Sequence, residues 1–309
     1  MPTANLNIKS VWLDEDVLIS HLASELVRGR LALLLGAGVS SFYGLPEWTE
    51  LVNRLCDRCN EPRMNPGDDP LEHVAALRIR HYKNKTLAFL KAVADELYKG
   101  SLIDLEKIRK NDTLASIGSL VMASRRGNAS TVITFNYDDL LETYLEYHGF
   151  IARSIFKPRH WAGNSDVTLY HPHGYLPRNR PNDWSSDIVL GTQEYLEIMQ
   201  PDAQNLWRPL LQTIMRTHSI IYIGLSGKDA HLKSLLSPLN EQHAVNEARL
   251  AFHGIRFGLK SSPDKNIETI MDNWGVHTHK IDSYQDIAPF LFKVCQAARR
   301  IRTRSEEGL

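Results

Sequence analysis

Two short blocks in this chain are apolar almost without a break, Leu31-Ala32-Leu33-Leu34-Leu35 and Ser219-Ile220-Ile221-Tyr222-Ile223. Each is too short for a helix and runs straight into glycine, the pattern of a strand buried on both faces of a parallel sheet. A third block, Ser130–Phe135 (STVITF), is rich in β-branched residues and predicts another strand. Shorter strands are predicted at Ile151–Phe156, Val167–His171, Asp187–Leu190, Leu250–Phe257 and Val276–Ile281. Between them the apolar positions change to helical spacing. Val17, Leu18, Leu22 and Leu26 make Asp14–Arg30 an amphipathic helix, and Glu47–Cys59 reads the same way. Helices are also predicted after Asp139, at Thr192–Gln200 and Ala203–Thr217, from Asp229, and over Tyr284–Arg300. Asn60–Pro70 is a loop by its Pro, Gly, Asn and Asp content, and Leu71–Ser124 carries helical patterns and no strand. The expected fold is α/β, a Rossmann-like parallel sheet with helices on both faces. It forms a single domain over residues 1–309, with residues 60–128 as a helical insertion.

Composition narrows the partners. The 309 residues hold 36 Lys+Arg against 36 Asp+Glu, so the formal net charge is zero. A chain living on nucleic-acid phosphates carries a basic surplus, so direct nucleic-acid binding is not expected. The Arg299-Arg300-Ile301-Arg302-Thr303-Arg304 cluster reads as a solvated helix end. The N-terminus has no signal-peptide core and no run reaches membrane-spanning length, so no membrane partner is expected. Three cysteines, Cys56, Cys59 and Cys295, do not make a disulfide framework, and the cytoplasm is the expected compartment.

In an open parallel sheet, ligands bind beyond the carboxyl ends of the strands. Four predicted strands here end in glycine or polar turns: Gly36-Ala37-Gly38, Asn136-Tyr137-Asp138, His171-Pro172-His173-Gly174 and Gly224-Leu225-Ser226. Glycine lets backbone N–H groups approach an anion closely, so the first turn suits a phosphate. Other chemistries fit less well. A dehydrogenase fingerprint needs a third glycine where Ser41 stands, and Asp57, near the position of a ribose carboxylate, falls on a predicted helix. His171 and His173 alternate on a strand as metal ligands could, but spacing fixes no third ligand, so no metal is expected. Gly224-Leu225-Ser226-Gly227-Lys228 lacks the final glycine of a nucleophile elbow and the flanking residues of a P-loop.

The order GAGVS, TFNYD, HPHG and GLS resembles the sirtuin family, specifically the sirtuin-like domains of bacterial defence proteins. The resemblance implies NAD as ligand and substrate. It implies that Gly36, Ala37 and Gly38, with Ser40, form the loop that cradles the pyrophosphate. Asn136 would hold the nicotinamide-side ribose and the attacking water, and Asp138 the carboxamide. His173, followed directly by Gly174, matches the catalytic histidine, and Gly224 and Ser226 match the adenosine-ribose loop. The residue types suit that chemistry on their own account. Breaking the nicotinamide–ribose bond builds an oxocarbenium-like sugar, which calls for positioning and a base near neutrality, and histidine's reference pKa of about 6.5 qualifies.

The chain also departs from the family pattern. The deacylases carry two Cys-x-x-Cys pairs around zinc, whereas Cys56 and Cys59 are the single pair here and read as core thiols. Phe135 stands in place of a glutamine, and Glu47-Trp48 follows Gly44-Leu45-Pro46 where an arginine is usual. The expected activity is therefore hydrolysis of NAD to nicotinamide and ADP-ribose, as an anti-phage effector. The alternatives are a protein deacylase or ADP-ribosyltransferase, or a non-catalytic NAD-sensing subunit. Little chain lies beyond the domain, so control is expected from homo-oligomerisation or a separately encoded regulatory protein. Asp14–Arg30 and the insertion are the candidate contact surfaces.

Overall fold

The computed structural model describes residues 12–83, 85–101, 103–122, 124, 126–160, 163–186, 188–200, 206–241 and 252–307. Seven strands form one parallel sheet: β1 (Leu31–Leu35), β2 (Thr131–Thr134), β3 (Ala152–Ile155), β4 (Val167–Tyr170), β5 (Ser219–Ile223), β6 (Gly254–Leu259) and β7 (Val276–Ile281). Their order across the sheet is β3-β4-β2-β1-β5-β6-β7. The chain leaves β1 toward β2 on one side and later returns to place β5 on the other. The carboxyl end of β1 is therefore the topological switch point, the position where open α/β sheets take ligands. Every residue of β1 and of β5 is buried, as their apolar runs require.

The chain divides into two compact units, with the cut running through β1 and β2. The first comprises residues 1–34, 110–132 and 211–309. Here the parallel register places Tyr222 opposite Arg256 and Arg256 opposite Thr278 on β5, β6 and β7. The long helix Ile287–Glu307 packs on the helices Glu15–Val27 and Asp112–Val121. Local caps set these ends: Asp14 accepts from the N–H of Asp16 and Val17, and Asn111 accepts from Leu114 N–H at 2.9 Å.

The second unit comprises residues 35–109 and 133–210 and contains β3 and β4 with the ends of β1 and β2. Its helices include Trp48–Arg58, Pro70–Leu77, Thr86–Tyr98, Leu140–Tyr147 and Thr192–Met199. Asp69 caps Pro70–Leu77, with Pro70 at the first helical position where its missing N–H costs nothing. Among the described residues of 60–128, all regular structure is helical.

Several boundaries move from those the sequence predicts. Ile188–Leu190 is not a strand; Val189 N–H donates to His173 O at 2.8 Å and fastens that segment to the histidine turn. β6 starts at Gly254, and residues 250 and 251 lie outside the described set. The helix predicted over Ala203–Thr217 begins at Trp207, residues 203–205 lying outside that set. In the basic cluster, the side chains of Arg302, Thr303 and Arg304 also lie outside it. Cys56 is buried on Trp48–Arg58 and Cys59 follows at its end, with Sγ 3.8 Å from Tyr82 Oη. Among the described residues no helix is long and apolar enough to cross a membrane.

Candidate functional site

β1 delivers the chain into two consecutive single turns of 3-10 helix, Ala37–Val39 and Ser41–Tyr43, rather than directly into an α-helix. Tight turns of this kind leave the first N–H groups without an intrahelical acceptor, so Ala37 and Gly38 present amide edges at the strand end. Gly44 ends the second turn at φ 78°, a left-handed conformation natural to glycine, and releases the chain toward Trp48–Arg58.

The loop is held from below by polar contacts. Ser40, 3% exposed, donates from Oγ to Asp138 Oδ2 at 2.8 Å. Asn136 donates through Nδ2 to Gly36 O at 3.1 Å and to Ser40 Oγ at 3.1 Å. A carbonyl oxygen can only accept, so the nitrogen of the amide must be the end facing Gly36. Both amide hydrogens are thereby committed, and Oδ1 is the acceptor Asn136 has for anything else. Asp138 Oδ1 in turn accepts from Leu140 N–H at 3.2 Å, joining the turn to the helix Leu140–Tyr147. Residues about a hundred apart in sequence are thus fixed as one array, Gly36–Ser40–Asn136–Asp138. Burial pushes the Asp138 carboxyl up to about 6; the Ser40 and Leu140 hydrogen bonds oppose that rise, and the charges of Glu142 and Asp139 add to it.

The two histidines differ sharply. His171 is fully buried, with Nε2 2.7 Å from Glu142 Oε1 and Nδ1 3.2 Å from Asn136 O. His173 is stacked on Phe135, with ring centroids 4.4 Å apart and planes 12° off parallel. The ring of Tyr195 lies 6.0 Å beyond. Burial among these apolar faces pushes His173 down to about 3, so its ring is neutral at physiological pH. Phe135, the residue that breaks the expected motif, is therefore the platform for the histidine next to the array.

A cavity of about 10 Å³ lies behind the array, lined among others by Ser40, Thr134, Asn136, Asp138 and Glu142. Sequence reading missed Glu142, Tyr98 and Tyr137. Tyr98 Oη donates to Leu176 O at 2.8 Å and lies 3.3 Å from Asp139 Oδ1, and Tyr137 donates to Val189 O at 2.6 Å. A glutamate on the inward face of Leu140–Tyr147 breaks the apolar helical stripe, and that break was the available signal for Glu142.

Gly224 and Ser226 belong to the other unit. Gly224 and Gly227 have φ of 71° and 76°, and Ser226 is exposed, with Oγ accepting from Lys228 N–H at 3.2 Å. Asp229 caps the following helix by accepting from Leu232 N–H at 2.8 Å. Beneath this turn Arg256, 8% exposed, donates from Nη2 to Ser226 O at 3.4 Å. The structure brings Gly36, Ala37, Gly38, Ser40, Asn136, Asp138 and His173 together in one unit; Gly224 and Ser226 form a second strand-end turn.

A model of the SIR2-like domain matches residues 130–278, which include Asn136, Asp138, His173, Gly224 and Ser226 but not the Gly36 loop. The curated NAD(+) hydrolase ThsA of Enterococcus faecium is 22% identical over 230 residues, covering 74% of this chain and 43% of that protein. Defense-associated sirtuin 2 of Bacillus subtilis is 26% identical over 233 residues, covering 74% of this chain and 21% of that protein. The chain thus spans less than half the length of these curated relatives. A solved structure described as the structural basis for the mechanism and regulation of Sir2 enzymes aligns over 93% of this chain and 98% of that one. Its sequence identity is 16% and its TM-score 0.46. Residues 130–278 thus match a SIR2-like domain, and the chain is distantly similar to the ThsA hydrolase and to a defence-associated sirtuin.

Proposed function

We propose that this protein is an NAD glycohydrolase that cleaves NAD to nicotinamide and ADP-ribose, acting in bacterial anti-phage defence. The observation that carries the reading is the closed array Gly36–Ser40–Asn136–Asp138 beside the stacked His173, at the end of the strand where the sheet order reverses. Similarity to the NAD(+) hydrolase ThsA and to Defense-associated sirtuin 2 supports it.

In this proposal Gly36, Ala37 and Gly38 offer backbone N–H groups to the pyrophosphate, and Ser40 fixes their loop. Asn136, with both amide hydrogens held, presents Oδ1 to the ribose or to water without placing a charge beside the diphosphate. The C1′–N bond breaks with its electron pair going to the pyridine nitrogen, which leaves neutral nicotinamide. Water supplies the new C1′–O bond and loses its proton to His173. A dry imidazole at about 3 is a weak base, and the bound diphosphate would raise it by opposite-charge attraction. Asp138 holds the loop through Ser40 and keeps lone pairs for the carboxamide. Gly224 and Ser226 take the adenosine ribose. No metal has a part in this chemistry. Homo-oligomerisation or a separately encoded regulatory protein would hold the activity in check.

Incubation of the purified protein with NAD, followed by chromatography, tests the reading. Equimolar nicotinamide and ADP-ribose are expected, from the protein alone or after exposure to extract of phage-infected cells. Nicotinamide release that strictly requires an acylated peptide would make it a deacylase. Label from NAD on protein would make it a transferase, and binding without turnover under either condition would make it a sensor.

A further inference from the structure

The segment that supplies His173 also buries a second histidine that the proposed reaction does not use. Both ring nitrogens of His171 face oxygens. Nε2 lies 2.7 Å from Glu142 Oε1, and Nδ1 lies 3.2 Å from the main-chain oxygen of Asn136. The Asn136 carbonyl has no proton to give, and Glu142 Oε1 is already the acceptor of Ser154 Oγ–H at 2.8 Å. With Glu142 ionised, both partners are acceptors, so the ring that satisfies this geometry carries a proton on each nitrogen. An imidazolium and a carboxylate, fully buried and almost fully buried, make a hydrogen-bonded ion pair beneath the Asn136 turn. The tilted face of Tyr175 also lies against the ring, 4.5 Å away, and tolerates a cation. His171 is further fixed by its own N–H, which donates to Ile155 O at 2.8 Å.

This pair reaches the array by two routes. One is covalent, since the carbonyl it grips belongs to Asn136, whose amide holds Gly36 and Ser40. The other is electrostatic, since Glu142 and Asp138 line the same small cavity and the Glu142 charge discourages ionisation of Asp138. A cation on His171 offsets the Glu142 charge where it faces Asp138.

We infer that His171 and Glu142 are positioning residues: a buried imidazolium–carboxylate pair that sets the Asn136 peptide, and through it the amide aimed at the dinucleotide. This rests on the proposed NAD hydrolysis for its kinetic consequence, though not for the pair itself. A ring with a single proton would turn a lone pair toward either Asn136 O or Glu142 and would slacken the turn.

The test uses the full chain labelled with nitrogen-15 histidine, with His171 assigned by the loss of its signals in His171→Gln. Both ring nitrogens of His171 are expected to be protonated in the wild type, and an unprotonated nitrogen would overturn the inference. Glu142→Gln keeps shape and an acceptor but removes the charge. It is expected to shift the Asn136 side-chain amide signals and to lower kcat for NAD hydrolysis about tenfold, with KM within about threefold, because misplacement affects the reacting geometry more than binding. Unchanged amide signals with unchanged kcat would overturn the positioning role. Should Glu142→Gln fail to fold, the wild-type spectrum still decides. Should the wild type release no nicotinamide under any condition, the glycohydrolase reading falls alone, and the spectra still decide whether the pair exists and grips Asn136.

Discussion

The turn after β1 and the turn after β5 start from the same recipe, a fully buried five-residue strand followed by Gly-x-Gly or Gly-x-Ser. Beneath the first, the polar groups are matched: Ser40 to Asp138, Asn136 to Gly36 and Ser40, and Glu142 to His171 and Ser154. Beneath the second they are not. Tyr222, Arg256 and Thr278 are register partners on β5, β6 and β7, and each is buried. Tyr222 Oη, Thr278 Oγ1 and the Nε and Nη1 of Arg256 have no hydrogen-bond partner among the described residues. Burial lowers the Arg256 guanidinium, while the charges of Glu268, Asp264 and Asp272 oppose that shift. A turn on a closed network keeps its shape before a ligand arrives, which is what positioning chemistry needs. The β5 turn combines positive-φ glycines with one long hydrogen bond from Arg256 to Ser226 O and local contacts of Ser226 and Asp229.

The contrast is broken most decisively at the first turn. Asn136→Ala removes the amide that ties Gly36 to Ser40, and His173→Ala removes the proposed base. Each is expected to lower NAD hydrolysis by about a hundredfold or more, the scale of lost general-base or positioning catalysis, with a native circular dichroism spectrum. If His173→Ala retains wild-type kcat, the assignment of the base fails.

Stability separates the two regions next. Glu142→Ala leaves His171 buried without its carboxylate and is expected to cost about 3 kcal/mol in urea unfolding. Arg256→Met replaces a poorly paired buried cation by an apolar chain of similar length. That change should be neutral or stabilising, within about 1 kcal/mol. Equal losses in the two variants would show that the difference in pairing has no energetic meaning.

Sequence reading recovered much of the fold because its strongest signals are local. Leu31–Leu35, Ser219–Ile223 and Val276–Ile281 are strands with the predicted bounds, the first two as apolar runs. Asp229 caps its helix as an acidic residue at that position should. Ile188–Leu190 read as a strand because three apolar residues stand together, yet all three are buried outside the sheet, and Val189 N–H is fastened to the histidine turn, a contact invisible to periodicity. The array itself was half legible: glycine, asparagine and histidine at strand ends announce a site. That Ser40 would face inward to Asp138, or that Phe135 would carry His173, depends on packing between segments about a hundred and about forty residues apart. The pairing of Glu142 with His171 was hidden for the same reason, since it joins segments about thirty residues apart across the fold.

The smallest effect sharpens the account of the first turn through its acid response. Burial holds His173 at about 3 against 6.5 in the unfolded chain, so its contribution is present above 6.5 and is lost as pH falls toward 3. Asp138 runs the other way: raised from 3.8 to about 6, it contributes stability that is present below 3.8 and lost as pH rises through 6. Between about pH 4 and pH 6 the two oppose each other, each with a slope of at most about 1.4 kcal/mol per pH unit. His173→Phe keeps a ring stacked on Phe135 but cannot titrate, so that variant should lose less stability than wild type on acidification across this window. Asp138→Asn removes the opposing term and should lose more. Urea unfolding at about pH 6 and about pH 4 reads the difference. Parallel losses in all three proteins would mean that neither group is as dry as the closed network beneath the β1 turn requires.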